Sequence, residues 1–341
     1  MARLTVNLVA WNGSKYVPYL FESLRRQIFR DWFLRVLDNG SVDNAVSLIK
    51  KELTDFPMNF EVIEGKENLG FAGGHNLLYQ KTKSEFFLLL NQDICLEPDV
   101  FEKLAAFMAS HPEAAAVSSR LMKWDFSRIG EGLEKSFSSK IDSLGLRVFR
   151  NRRVIERNAG EDWNNDKAGA VEVFGVSGAL PLFRKSAMET AAFADGTLFD
   201  SSYHSYKEDV DLAYRLRAAG FKSFVLLDAV AYHDRSATGA GGNLSVAKNK
   251  RRQSFFVKYA SYKNHLATLY KNEYGVNLLL DFPFILWYEI GKLLYFVLFE
   301  RKVLKGWVEL WRRRKNLRDK RQEIIAKRKL TWPEMRRQIF L

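Results

Sequence analysis

Residues 4–40 read LTVNLVAWNGSKYVPYLFESLRRQIFRDWFLRVLDNG. LTVNLVAWN is an apolar, β-rich run, the stretch from Tyr16 to Ile28 has helical spacing, and FLRVLDNG is a second strand. The pattern continues through the helix-like VDNAVSLIKKEL (42–53), the strand FEVIE (60–64), a glycine-rich turn and the strand FFLLLNQD (86–93). Strands alternating with helices of this length predict an α/β fold: a mostly parallel sheet, right-handed crossovers and helices on both faces. Ligands of such sheets bind beyond the carboxyl ends of the strands. Asn12, Asp38, Asn39, Asn91 and Asp93 each follow an apolar strand and are predicted to converge on one crevice.

Residues 125–170 are polar with little periodicity and read as an irregular excursion covering the site. Order resumes with VEVFGVSGALPLFRKSAM (171–188), a helix from Lys207 to Ala219 that stops at Gly220, and the strand KSFVLLDAVAYH (222–233). From about Val246 the pattern is helical to the end. These shifts predict a catalytic unit over 1–242 and a helical, basic, membrane-associating region over 243–341.

The chain has 341 residues, enough for a large catalytic unit with an appendage. With 47% apolar and 27% charged residues, and only 7 Pro and 21 Gly, collagen-like, low-complexity and wholly disordered readings fail. The single cysteine, Cys95, allows no internal disulfide and no multi-thiolate metal site, and no charged-then-apolar leader opens the chain. The catalytic part is therefore expected in the reducing cytoplasm. Net charge is +13, and it sits at one end: residues 1–242 carry 30 Lys/Arg against 32 Asp/Glu, but residues 301–341 carry 15 against 4. A neutral body with a basic tail predicts contact with an anionic surface.

Four constellations can carry chemistry. Asn91 and Asp93, at i and i+2 beyond a buried strand, offer oxygen ligands to a hard divalent cation that also holds a diphosphate; the plain alternative is a cap on the helix near 98–109. KEDVDLAYRLRAAGF (207–221) places Glu208 and Asp209 at a helix N-terminus, where the backbone dipole favours ionised carboxylates able to accept a hydroxyl proton; ordinary charge complementarity is the alternative. NLGFAGGHN (68–76), with Asn68, Gly70, Phe71, Gly73 and Gly74, leads into a helix and offers backbone N–H groups to a phosphate or sugar, or is a simple turn. It matches neither standard nucleotide loop. His233, between a strand and a Ser/Gly-rich loop, is either a structural hydrogen-bonder or a third partner for the oxygen site.

Taken in order, LVAWN (8–12), LDNGSVDN (37–44), NLGFAGGHN, LLLNQD (88–93), KEDVDLAYRLRAAGF and YHDRSATG (232–239) resemble the family 2 inverting glycosyltransferases of GT-A fold, in particular their rhamnosyltransferase-like and galactofuranosyltransferase-like branch. The resemblance covers about residues 3–240. It implies that Val9, Ala10, Trp11, Asn12 and Asp38 bind the base and ribose. It makes Asn91, Gln92 and Asp93 the metal and diphosphate motif, Asp209 of the Glu208–Asp209 pair the catalytic base, and His233 the residue completing the metal site. It further implies Mg²⁺ or Mn²⁺ as cofactor, a nucleoside-diphosphate sugar as donor (deoxythymidine-diphosphate rhamnose first), and inversion by a single displacement. The motif departs from the family's usual DxD in having Asn91 at its first position, which predicts weaker metal affinity.

The segment VNLLLDFPFILWYEIGKLLYFVLFERK (276–302) is the most apolar of the chain, interrupted by Asp281, Glu289, Lys292 and Glu300. At about 100° per residue these fall near 0°, 80°, 20° and 100° and share one sector. Such a helix suits the headgroup region of a bilayer, apolar face down; burying its charges mid-bilayer would cost about 2.5–3.5 kcal/mol each. Packing on the catalytic unit is the alternative. Trp307, Trp311 and Trp332 among clustered Arg and Lys add aromatic anchors beside charges that anionic lipid attracts, unless the tail is merely solvated. The partners expected are a nucleotide sugar, a glycan or polyprenyl-linked acceptor, and the inner face of the cell membrane, to which the protein attaches peripherally. A nucleic acid is not expected, because the apolar helix would then have no role. A nucleotidyltransferase is the competing enzyme reading.

Overall fold

The computed structural model describes residues 2–164, 168–235 and 254–341. The first half alternates as the pattern requires: β1 (Leu4–Ala10), α1 (Val17–Arg25), β2 (Trp32–Asp38), α2 (Ala45–Leu53), β3 (Phe60–Glu64), α3 (Gly70–Lys81), β4 (Phe86–Asn91), β5 (Ile94–Leu96), α4 (Val100–Ser110) and β6 (Ala114–Trp124). There follow α5 (Leu133–Ser136), β7 (Phe137–Ser143), β8 (Leu146–Val148), β9 (Val154–Glu156), β10 (Ala170–Val173), β11 (Pro181–Arg184), α6 (Lys185–Ala191), α7 (Glu208–Ala218) and β12 (Lys222–His233). A ten-stranded sheet runs in the order β10-β12-β6-β11-β4-β1-β2-β3, with β5 on β12 and β7 on β6. β3, β2, β1 and β4 are mutually parallel, as are β6 and β12; β11 runs antiparallel between β4 and β6.

The core shows why FFLLL lacks polar alternation. Phe86, Leu88 and Leu90 of β4 pack with Leu20, Phe21, Ile49, Phe101 and Leu104 from α1, α2 and α4. Phe87 and Leu89 face the other way, against Ala72, Tyr79, Met188, Leu212 and Leu216 from α3, α6 and α7. A strand covered on both faces reads as a continuous apolar run. The result is the predicted α/β sandwich, with polar residues left at the strand ends.

Among the described residues, 125–164 and 168–170 are not wholly irregular. β7 pairs antiparallel with β6, and β8 and β9 form a hairpin. Their period is hidden because β7 is a short strand with exposed Ser and Lys and buried Asp142, the charged and polar composition that keeps sheet edges from aggregating.

The C-terminal part forms α8 (Phe255–Asn272), α9 (Gly275–Leu280), α10 (Phe282–Phe299), α11 (Lys305–Arg312), α12 (Arg314–Ala326) and α13 (Trp332–Ile339). The predicted apolar helix is broken at Asp281, which is fully buried and meets Arg150, Arg152 and Arg336 at 3.1, 2.9 and 2.7 Å. Glu289 pairs with His265 and Lys292, and Glu300 with Lys258. The charged sector thus turns inward onto protein. Leu279, Trp287, Leu294, Leu298 and Phe299 face outward, Trp287 with 83% of its surface exposed. Among the described residues α10 is the one helix long and apolar enough to cross a membrane, by length and composition alone.

The basic tail is not merely solvated. Met335 and Ile339 enter a core with Phe174 and Tyr214, and Lys320 lies 2.8 Å from the buried Asp200. Burial alone would raise the Asp281 carboxyl, but the guanidinium groups of Arg336, Arg152 and Arg150 hold it down to about 2. Replacing one partner of a buried ion cluster leaves the others desolvated and unpaired. Asp281→Ala is expected to lower unfolding free energy by about 3–5 kcal/mol in denaturant titrations near pH 7. Because the folded-state pKa is depressed, that contribution is complete above the ordinary carboxylate range and is lost as pH falls through about 2, so the gap between wild type and variant should close on acidification.

Candidate active site

The loops at the carboxyl ends of β1, β2, β4 and β12, with the segment entering α7, enclose a cleft of about 940 Å³. Val9, Trp11, Asn39, Asn68, Gly70, Phe71, Asn91, Gln92 and Asp93 line it together with Glu208, Asp209 and His233. Ala10, Asn12, Asp38, Gly73 and Gly74 do not reach it. Their work is one step removed. Asp38 Oδ1 accepts from Ser41 N, and Asn12, with φ 47°, receives Val42 N on its Oδ1, so both shape the rim loops. At Gly74 a Cβ would lie 3.1 Å from Val9, which makes this glycine a helix-to-sheet contact. Gln92 and Trp11 exchange hydrogen bonds, Trp11 N to Oε1 at 2.9 Å and Nε2 to Trp11 O at 2.8 Å, tying the loop after β4 to the loop after β1.

The backbone N–H groups of residues 69–72 are not open to a phosphate. The helix begins at Gly70, and its first amides are taken within the protein: Leu69 N by Asn39 Oδ1, Gly70 N by Asn68 Oδ1, Phe71 N by Ser205 Oγ and Ala72 N by His204 O. Gly70 is required there for another reason. Its φ is +73°, and a Cβ would sit 2.5 Å from His204.

Asp93 and His233 meet because β5 pairs antiparallel with the end of β12, opposing Ile94 to His233. His233 Nε2 lies 3.4 Å from Asp93 Oδ1, and Nδ1 lies 2.9 Å from Asp142 Oδ2. Arg235 also reaches Asp142, through Nε at 3.2 Å and Nη2 at 3.0 Å. Burial would depress the imidazole, but Asp93 and Asp142 push it up to about 9; Arg235 and His233 bring the buried Asp142 down to about 2. An imidazole fixed on one nitrogen by a carboxylate presents the other in a set direction. Among the described residues no three His, Cys, Asp or Glu side chains converge to hold a metal unaided. Two protein donors opening on a cleft, the Asp93 oxygen and the His233 nitrogen once its proton is displaced, fit a divalent cation that takes its other ligands from phosphate and water. Asn91 lines the same cleft beside them.

Glu208 and Asp209 begin α7, as predicted, but the helix terminus does not set their charge. Burial, then the charge of Asp209, pushes the Glu208 carboxyl well above its ordinary range, and Glu208 Oε2 has no hydrogen-bond partner. Asp209 is raised by burial and by Glu156, against the pull of Lys207 and of two backbone amides, Val210 N at 2.7 Å and Gly178 N at 3.3 Å. A carboxyl raised toward neutrality is a better proton acceptor at working pH than one of ordinary acidity.

The turn into α7 is strained. His204, Tyr206 and Lys207 have φ of 59°, 72° and 72°, left-handed conformations that cost about 1–3 kcal/mol each in residues with a Cβ. Ser177, Glu156, His204, Tyr206, Lys207, Arg235 and Phe256 also line the cleft and were not expected there. Arg235 could have been noticed as the cation two residues after His233. Glu156 sits on a three-residue strand, and Phe256 belongs to α8, remote in sequence; neither carries a local signal. The Ser/Gly loop 236–242 and the onset of helical pattern at Val246 lie outside the described residues.

A model of glycosyl transferase family 2 matches residues 5–186, more than half of the chain. The chain is 27% identical over 93 residues, 27% of its length, to the teichoic acid poly(glycerol phosphate) polymerase of Staphylococcus epidermidis, and spans only 13% of that protein. It is 22% identical over 240 residues to the O-antigen chain rhamnosyltransferase RfbN of Salmonella typhimurium, covering 69% of this chain and 68% of that one. In fold it is similar to the mannosyltransferase PcManGT from Pyrobaculum calidifontis, solved with GDP-Man and Mn²⁺, with a TM-score of 0.52 and 15% identity over 96% of this chain and 86% of the other. With the sheet order, the acid pair opening α7 and the family match in agreement, the chain belongs to glycosyl transferase family 2.

Proposed function

We propose that the protein transfers a sugar, rhamnose in our reading, from a nucleoside-diphosphate sugar to a hydroxyl of a glycan or polyprenyl-linked acceptor, with inversion, in cell-surface polysaccharide synthesis. The observation that carries this is that Asp93 and Asp209 line one cleft. The relatives named for an O-antigen rhamnosyltransferase and a teichoic acid polymerase, and the fold neighbour holding GDP-Man, support the donor and acceptor classes.

In this reading the loops after β1, β2 and β4 hold the nucleotide, with the half-exposed Trp11 at the base. Asp93 and His233, with Asn91 beside them, would hold Mg²⁺ or Mn²⁺, which when bound supplies positive charge against the diphosphate leaving group. Asp209 takes the proton of the acceptor hydroxyl as its oxygen bonds to the anomeric carbon. The bond from that carbon to the diphosphate oxygen breaks on the opposite side, and the nucleoside diphosphate leaves with the electron pair. Burial and the charge of Asp209 push the neighbouring Glu208 carboxyl toward its neutral form, which would let it donate to a hydroxyl beside the base. No covalent intermediate is needed.

The exposed apolar face of α9 and α10, with Trp307, Trp311 and Trp332 also outward, supports peripheral attachment to the cytoplasmic face of the membrane. With Glu289, Lys292 and Glu300 paired on the inward side, the outward face is dominated by apolar side chains.

Asp209→Asn should reduce nucleoside diphosphate release from dTDP-rhamnose or UDP-sugars by about 10²- to 10⁴-fold while leaving nucleotide affinity in place; pyrophosphate release instead would favour a nucleotidyltransferase. Since Glu156 raises Asp209, Glu156→Gln should move the acid limb of the kcat/KM profile to lower pH. For the membrane, Trp287→Glu with Leu294→Glu should weaken co-sedimentation with phosphatidylglycerol-containing vesicles by at least about tenfold; equal binding of both forms would place the contact elsewhere.

A further inference from the structure

α8 carries Asn264, fully buried and well separated in sequence from the cleft motifs. Its Nδ2 donates to three carbonyl oxygens of one loop, those of Tyr203, Ser205 and Tyr206, at 3.0, 3.0 and 2.7 Å. An amide NH₂ has two hydrogens, so three acceptors share two donors. The orientation is unambiguous, because turning the amide over would press its oxygen against three carbonyls. Asn264 Oδ1 has no partner of its own, so the side chain serves this loop alone.

The loop it grips is the left-handed turn through His204, Tyr206 and Lys207 that ends one residue before Glu208 and Asp209. Neighbouring contacts fix the remaining carbonyls: Lys263 Nζ donates to Ser202 O at 3.1 Å, and Ala72 N to His204 O at 2.9 Å. A turn of residues with side chains does not stay left-handed unless its surroundings hold it. The direction in which α7 starts, and with it the placement of the Asp209 carboxylate, follows from that turn.

We infer that Asn264 is a positioning residue of the transfer reaction: by clamping the carbonyls of residues 203, 205 and 206 it sets the turn that aims Asp209 at the acceptor hydroxyl. This rests on the reading of Asp209 as the base.

The test is Asn264→Ala in the full chain, with turnover read as nucleoside diphosphate released from dTDP-rhamnose or UDP-sugars, water serving as acceptor when no glycan is supplied. The expected result is a kcat lowered about 100-fold, as for an ångström-scale misplacement of a catalytic group, with UDP or dTDP affinity by calorimetry unchanged. Amide hydrogen exchange should quicken at residues 204–207 and stay as in wild type in β1 and β4. Asn264→Ser, which keeps one donor, should fall between the two and serves in its place if the alanine variant does not fold. Unchanged kcat in both variants overturns the inference, as does a parallel loss of kcat, nucleotide affinity and melting temperature, which is the mark of a general structural role. Asp209→Asn run alongside separates the two ideas. If it is inactive while Asn264→Ala turns over normally, the base stands and the clamp falls; if it turns over normally, both fall.

Discussion

A carboxylate taken out of water has to meet a cation, and in this protein that requirement joins the segment around α7 to the C-terminal helices. Lys271 of α8 is fully buried, its ammonium 2.6 Å from Asp200 Oδ2 and 3.0 Å from Asp211 Oδ1. Lys320 of α12 closes on the other oxygen of Asp200 at 2.8 Å, and Arg215 holds Asp211 at 3.1 Å. Despite a burial that would raise it, the Asp200 carboxyl is held far below its ordinary range by the two lysines. Asp211 lies on the helix that begins with the acid pair, and Asp200 opens the turn leading to it. Breaking such a cluster strands a buried charge, so removing any one partner costs more than the contact itself.

The cleft takes its two characters from two sources. Strand ends of the parallel half supply uncharged polar groups and one carboxylate, held together by the Gln92 and Trp11 exchange. The acid pair comes from the other face of the sheet, where α7 packs against β10 to β12 through Leu212 and Leu216. Both converge because the sheet is continuous through β11, whose antiparallel run bridges β4 and β6.

Where a signal was local, it was legible. FEVIE and KSFVLLDAVAYH are strands over the residues the pattern marked, and polar residues after β2, β4 and β12 do line one cleft, whereas Asn12 and Asp38 only shape its rim. Cys95 is buried, as a small residue beside Asp93 should be. The charge sector of 276–302 was also readable, since it needs only the helical period. What sequence could not carry were partners: that Asn39, Asn68 and Ser205 would occupy the amides of 69–71, that Asp142 would stand behind His233, or that Glu156 would raise Asp209. The helix-terminus argument for Glu208 and Asp209 left out burial, which raises both carboxyls and is a property of the assembled fold. Short polar strands such as β7 to β9 escaped because their ordering comes from pairing, not from hydrophobic period.

The inward charges of α8 also bear on how the protein can be divided. A chain shortened at residue 242, the natural place to cut on composition, would lose Lys271 and Lys320 and leave Asp200 and Asp211 short of counter-ions in an opened core. It would also lose the amide that grips residues 203–206 and the Phe256 wall of the cleft. Removing the greasy appendage to gain solubility would therefore dismantle the enzyme's own floor, and detergent or surface redesign of α10 is the physically gentler route to a tractable sample.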